Sequence, residues 1–117
     1  MTVSHQDDRR KNLRVDFSTR IQVTVGLDDA QVNLEGSSKD LSLRGIFVIT
    51  DKRFTPGSRC VVKICLTGSL EKIELVMEAT VVRQTRKGIG IVFDSMDLET
   101  YSHLKKIVQY NQLEDID

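Results

Sequence analysis

Arg9, Arg10 and Arg14, in the run Arg-Arg-Lys-Asn-Leu-Arg, and Asp40, Ser42 and Gly45, in the run Asp-Leu-Ser-Leu-Arg-Gly, are the residues whose types and spacing best suit chemistry. A guanidinium is a planar fork of donors. It can be bidentate to a phosphate or to the O6/N7 edge of guanine, and it can stack on a purine face. A carboxylate at position 40 can accept two hydrogen bonds from a pair of adjacent donors. In extended backbone Ser42 points to the same side as Asp40, and Gly45 permits either close backbone approach or a positive φ. Each segment also has a plainer reading. Terminal basic stretches are commonly solvated, and Asp, Ser and Gly are ordinary turn residues. The alternation of Leu41 and Leu43 with Asp40 and Ser42 instead predicts a strand-like ribbon with one polar face.

Taken together, the two segments resemble the RxxxR and D/NxSxxG signature of the PilZ domain, a bacterial receptor module for cyclic di-GMP. The run Ala79-Thr80-Val81-Val82-Arg83, followed by Gly-x-Gly-x-Val-Phe and a terminal helix, resembles the later part of that family. The resemblance implies a mainly β fold, a six-stranded antiparallel PilZ-type β-barrel with a C-terminal α-helix. It implies that cyclic di-GMP is bound by Arg9, Arg10, Arg14, Asp40, Ser42 and Gly45, with no other cofactor and no reaction on the ligand. Arg83 is a further candidate at the rim. Arg44 is outside the motif and reads as surface charge, and Lys11 would add attraction without specificity. The implied mechanism is a switch in which the N-terminal arm folds over the barrel on binding and the altered surface signals to a separate protein. Within the family, the alternative is an adaptor that binds protein and not nucleotide. Retention of all six motif residues argues for the receptor.

Overall composition permits this and excludes other classes. A chain of 117 residues can form a single hydrophobic core. Seventeen basic residues balance seventeen acidic ones, so no global field draws the chain to nucleic acid or acidic lipid. Locally, however, Arg9 to Arg20 holds five cations against Asp16, while the chain ends Glu114-Asp115-Ile116-Asp117. No apolar run approaches the roughly 20 residues of a membrane helix, and the polar start is unlike a signal peptide. Those features predict a cytoplasmic protein without membrane insertion. Cys60 and Cys65, five apart in a strand, fall on opposite faces about 16 Å from each other. A disulfide needs about 7 Å or less between Cα atoms, so free thiols are expected.

The elements that must position the site read mostly as strands. Phe17, Thr19, Ile21, Val23 and Val25 alternate with polar residues. An extended segment from about 31 to 40 carries Val32 and Leu34 inward. The run 45–50 is apolar on both faces and reads as a well-covered strand. Residues 52–58, with Pro56 and Gly57, form a loop. Cys60 to Leu66 and Ile73 to Val81 alternate again, and Arg86-Lys87-Gly88 turns into the strand ending at Phe93. From Asp97 the period changes: Leu98, Tyr101, Leu104, Ile107 and Val108 mark the buried stripe of a helix with Asp97 as its cap. The expected organisation is a flexible arm at 1–16, a barrel at 17–95 and a helix at 96–113, without internal repeats.

Catalysis is poorly supported. His5 and His103 lie far apart, no thiol has an evident base, and no metal or nucleotide-hydrolysing motif is present. An RNA- or DNA-binding barrel would need aromatic platforms in a basic groove. Here Phe17, Phe47 and Phe93 fall in core-like patterns.

Overall fold

The computed structural model describes residues 18–27, 30–68 and 72–116. Alternation along the chain produces six strands: β1 (Ser18–Leu27), β2 (Ala30–Gly36), β3 (Gly45–Ile49), β4 (Arg59–Thr67), β5 (Lys72–Gln84) and β6 (Gly88–Phe93). They form one antiparallel sheet in the order β2-β1-β4-β5-β6-β3, curled into a half-barrel. Its concave side collects the inward members of each alternating set. These are Ile21, Val23 and Val25 from β1, Cys60, Val62, Ile64 and Leu66 from β4, Leu75, Met77, Ala79 and Val81 from β5, and Ile89, Ile91 and Phe93 from β6. The β2 and β3 edges approach each other without a ladder. Gly36 marks the meeting point, because a Cβ there would lie 2.8 Å from Ile46 Cδ1 and 3.1 Å from Ile21 Cγ2.

Three expectations are corrected. The strand expected to run to about residue 40 stops at Gly36, and a short 3₁₀ turn, Ser38–Asp40, follows it. Ser37 caps that turn by accepting from Lys39 N at 3.3 Å, the local bonding that makes serine favour such starts. Second, the 45–49 run is not covered on both faces. β3 is a sheet edge, and Ile49 is 71% exposed. Third, the helix α1 (Leu98–Ile116) does not bury Leu98 or Tyr101, which are 84% and 39% exposed. Leu104 and Ile107 are fully buried, with Met96 and Val108 packed alongside. Three-residue steps explain the error. Each rotates about 60° backward around a helix of 100° per residue, so Leu98 lies about 120° away from Leu104.

α1 packs against β5 and the 3₁₀ turn, closing over the concave side of the sheet. Asp97 caps it as expected, accepting from Thr100 N at 2.8 Å. Those bonds from Thr100 hold the Asp97 carboxyl below the usual carboxylate range. Both cysteines are free. Cys60 is buried, and desolvation is the main cause that pushes its thiol up to about 11, with Asp94 adding to the rise. No described helix is long and apolar enough to cross a membrane.

Two tight connections border β5. In the 52–58 loop Ser58 N donates to Thr55 O at 3.0 Å and Gly57 has φ 101°. That combination, with Pro56 before it, is a type II turn. Between β5 and β6, Thr85 N donates to Gly88 O at 2.8 Å. The Thr85 hydroxyl accepts from Lys87 N at 3.1 Å and Gly88 N at 3.2 Å, and donates to Gly88 O at 3.2 Å. The hydroxyl thus substitutes for a backbone partner inside the hairpin.

Candidate functional site

The segment carrying the second motif is a turn with a 3₁₀ lead-in, not the ribbon expected from its alternation. Asp40 is the last residue of the Ser38–Asp40 turn and is exposed. Leu41, buried, makes an isolated antiparallel bridge to Ile46. Between them the chain reverses over Ser42 to Gly45, where Ser42 N donates to Gly45 O at 2.9 Å. The Ser42 hydroxyl donates to Gly45 O at 3.1 Å and accepts from Arg44 N at 3.2 Å and Gly45 N at 3.3 Å. Leu41 going inward and the reversal after it leave Asp40, Ser42 and Arg44 outside.

Gly45 opens β3 opposite Val92 of β6. Of the two reasons foreseen for a glycine here, close approach is the operative one. A Cβ would sit 1.9 Å from the Ile91 carbonyl oxygen, a backbone atom that cannot swing aside.

Next to this turn lies a groove of about 460 Å³ lined by Asp40, Ser42, Arg44, Gly45, Phe47 and Arg83, with Gly90, Val82 and Val92 completing its floor. The sheet order explains the convergence: β5, β6 and β3 are neighbours, so residues about 40 apart in sequence share one outward face. A bulge gives Arg83 its place. The β5·β6 register runs Val81↔Ile91 and then Arg83↔Gly90, leaving Val82 as the extra residue. Bulges of this kind redirect side chains, and here Arg83 returns to the outward face opposite a residue without a side chain. The Arg83 Nε and terminal nitrogen pass 3.7 Å and 3.9 Å from where a Gly90 Cβ would be. The guanidinium therefore lies across bare backbone.

Of the residues expected at the site, Asp40, Ser42, Gly45 and Arg83 are brought together. Arg9, Arg10 and Arg14 lie outside the described residues. Arg44, read from sequence as surface charge, lines the same groove. Phe47, read as core, is half-buried with part of its surface in the groove. Sequence held a signal for Gly90: alternation in β6 places it opposite the inward Ile89 and Ile91. Nothing in sequence alone placed it under Arg83.

Chemically the groove offers two guanidinium groups, one carboxylate and an aromatic face. Neither Arg44 nor Arg83 has an ion-pair partner among the described residues. Such an arrangement suits a planar, partly anionic ligand with donor groups along one edge. Among the described residues no cluster of three or more metal-ligating side chains occurs.

Comparison with known proteins identifies the family of the chain. The PilZ domain family model matches residues 8–110, a span that takes in Arg9, Arg10 and Arg14 as well as Asp40, Ser42 and Gly45. No curated protein matches the chain at a significant level. By the extent of the family match, and with a curled six-stranded sheet and terminal helix of the expected kind, this chain belongs to the PilZ domain family.

Proposed function

We propose that the chain is a receptor for cyclic di-GMP, read out by a separate protein. The observation that supports this best is the convergence of Asp40, Gly45, Phe47 and Arg83 on one groove, in a PilZ chain that keeps every motif arginine. The ligand carries two phosphodiester charges on a small ring and two guanine bases. One guanine stacks on the Arg83 guanidinium or on Phe47, with the Asp40 carboxylate accepting from its N1–H and N2–H₂. Arg9, Arg10 and Arg14 take the phosphates and the remaining Hoogsteen edge. The groove volume of about 460 Å³ falls within the roughly 300–1,000 Å³ typical of small-molecule sites.

In this reading the ligand links the N-terminal segment to the barrel. Drawing that segment in costs conformational entropy, which the charge-assisted contacts must exceed. The surface so changed is what a partner protein recognises, and the protein performs no chemistry on the nucleotide.

Isothermal calorimetry on the purified full chain tests the proposal. Saturable heat with cyclic di-GMP, and much weaker or no heat with cyclic di-AMP, is the expected result. A correctly folded sample that gives no heat with cyclic di-GMP would reject the receptor in favour of a nucleotide-independent adaptor.

A further inference from the structure

Two turns in this molecule are built alike. Ser42-Leu43-Arg44-Gly45 and Thr85-Arg86-Lys87-Gly88 share the order hydroxyl, any residue, base, glycine. They stand at opposite ends of the β3·β6 ladder, whose register runs from Gly45↔Val92 to Ile49↔Gly88. Each makes the same four bonds: the first amide and the hydroxyl both donate to the glycine carbonyl, and the hydroxyl accepts from the third and fourth amides. The third residue of each extends the ladder, Arg44 O accepting from Phe93 N at 2.9 Å and Lys87 O from Thr50 N at 3.0 Å. Each glycine lies where a Cβ would fall 1.9 Å from a backbone oxygen across the ladder, Ile91 O for Gly45 and Val48 O for Gly88. A local twofold axis therefore relates the two turns, yet only the first lines the groove.

A hydroxyl has one proton to give and two lone pairs to offer. In Ser42 all three are committed within its own turn. Thr85 has the same commitments where no ligand motif exists, so the arrangement follows from the turn itself. Resting on the receptor reading above, we infer that Ser42 is a positioning residue: its hydroxyl fastens the turn that sets Asp40 and Arg44 at the groove. The route to Asp40 is short. The Ser42 reversal brings buried Leu41 opposite Ile46, and Asp40 is the next residue back along the chain. A ligand oxygen could take the Ser42 proton only by breaking the bond to Gly45 O.

The test has a ligand-free arm and a binding arm, both on the full chain. Without ligand, amide hydrogen exchange at Arg44 and Gly45 should quicken about tenfold or more in Ser42→Ala, since each loses its acceptor, and Ser42→Thr should keep the parent rates. Unchanged rates in Ser42→Ala would overturn the turn-fastening role. In the binding arm, calorimetry with cyclic di-GMP is run on the parent, Ser42→Ala, Asp40→Ala, the double variant and Thr85→Ala. We expect Ser42→Ala to weaken the parent about tenfold, and to cost less than about threefold once Asp40 is already removed, the coupling expected of residues acting as a unit. The same fold-loss on both backgrounds would mean an independent contact with the ligand and overturn the inference. Thr85→Ala should loosen the Lys87 and Gly88 amides and leave affinity unchanged; a loss equal to that of Ser42→Ala would mean general loosening of the sheet and overturn it too. A silent parent rejects the receptor reading, while the exchange arm still decides what the hydroxyl holds.

Discussion

The groove beside Asp40, about 460 Å³, and a second one of about 520 Å³ between β5 and the start of α1, are similar in size and differ in what their charges do. In the second, Arg59 pairs with Glu78 at 3.2 Å and with Asp94 at 3.5 Å. Asp94 also accepts from the Thr80 hydroxyl at 2.8 Å, and Asp97 is occupied in capping the helix. Acid and base there answer each other. In the first groove Arg44 and Arg83 have no carboxylate partner among the described residues, although Asp40 lines the same wall. Volume therefore does not distinguish the two; unspent hydrogen-bonding and charge capacity does. The first groove also carries the Arg83 guanidinium laid over Gly90, a flat donor face with no carboxylate opposite it among the described residues.

The strongest way to break the contrast is to remove the arginines expected to close the first groove. Arg10→Ala or Arg14→Ala should each weaken cyclic di-GMP binding by about 2–4 kcal/mol, the loss expected for a bidentate charge-assisted contact. The melting temperature should stay near that of the parent. Calorimetry and thermal unfolding on the same samples separate the two effects, and a large fall in melting temperature would show that these arginines hold up the fold. Arg14→Lys should not restore affinity, because an ammonium lacks the planar fork.

A second substitution attacks the turn at the start of β3. Gly45→Ala places a methyl against Ile91 O, so either the β3 edge shifts or the ladder strains. We expect a loss of about 2–3 kcal/mol in folding stability, in the range of overpacked interiors. Gly88→Ala meets Val48 O at the same 1.9 Å and should destabilise similarly. Only Gly45→Ala should also reduce affinity in the fraction that remains folded. Denaturant unfolding checks the first statement and ligand titration the second.

The contrast also shows what sequence carried. Alternation located β1, β4, β5 and their described inward residues correctly, because a strand with one buried face writes its pattern directly into the chain; Phe17, read with the β1 set, lies outside the described residues. It failed at 45–49, where apolar residues on both sides suggested full cover, because edge position depends on strand order and no period encodes that. It failed again at Asp40 to Ser42, where two leucines in alternation imitated a strand. Local bonding by Ser37 and Ser42 bent the chain into a 3₁₀ turn and a reversal instead. The motif residues of the second segment were legible as a set, and their sharing one groove was not. Phe47, Gly90 and Arg83 come together only through the β5-β6-β3 adjacency and the bulge at Val82. Likewise, the match of Ser-x-Arg-Gly-Ile to Thr-x-Lys-Gly-Ile is visible in sequence. It acquires meaning only once β3 and β6 are paired antiparallel.

The most direct comparison uses one arginine from each groove. Arg83→Ala should weaken cyclic di-GMP about tenfold, the order expected for one cation–π or charge-assisted contact at a partly exposed site. Its effect on melting temperature should be small, since Arg83 is exposed and has no ion-pair partner among the described residues. Arg59→Ala is the smaller perturbation. Both Arg59 and Glu78 have side chains at least 70% exposed, and exposed pairs contribute between about 0 and 1 kcal/mol. Stability should therefore change by less than about 1 kcal/mol, with the change shrinking further as salt is raised. Affinity for the nucleotide should not change at all. If Arg59→Ala instead weakened binding as much as Arg83→Ala, charge at long range would account for both. Raising the salt would then erase both losses together, whereas a contact at Arg83 persists because it is short and directional.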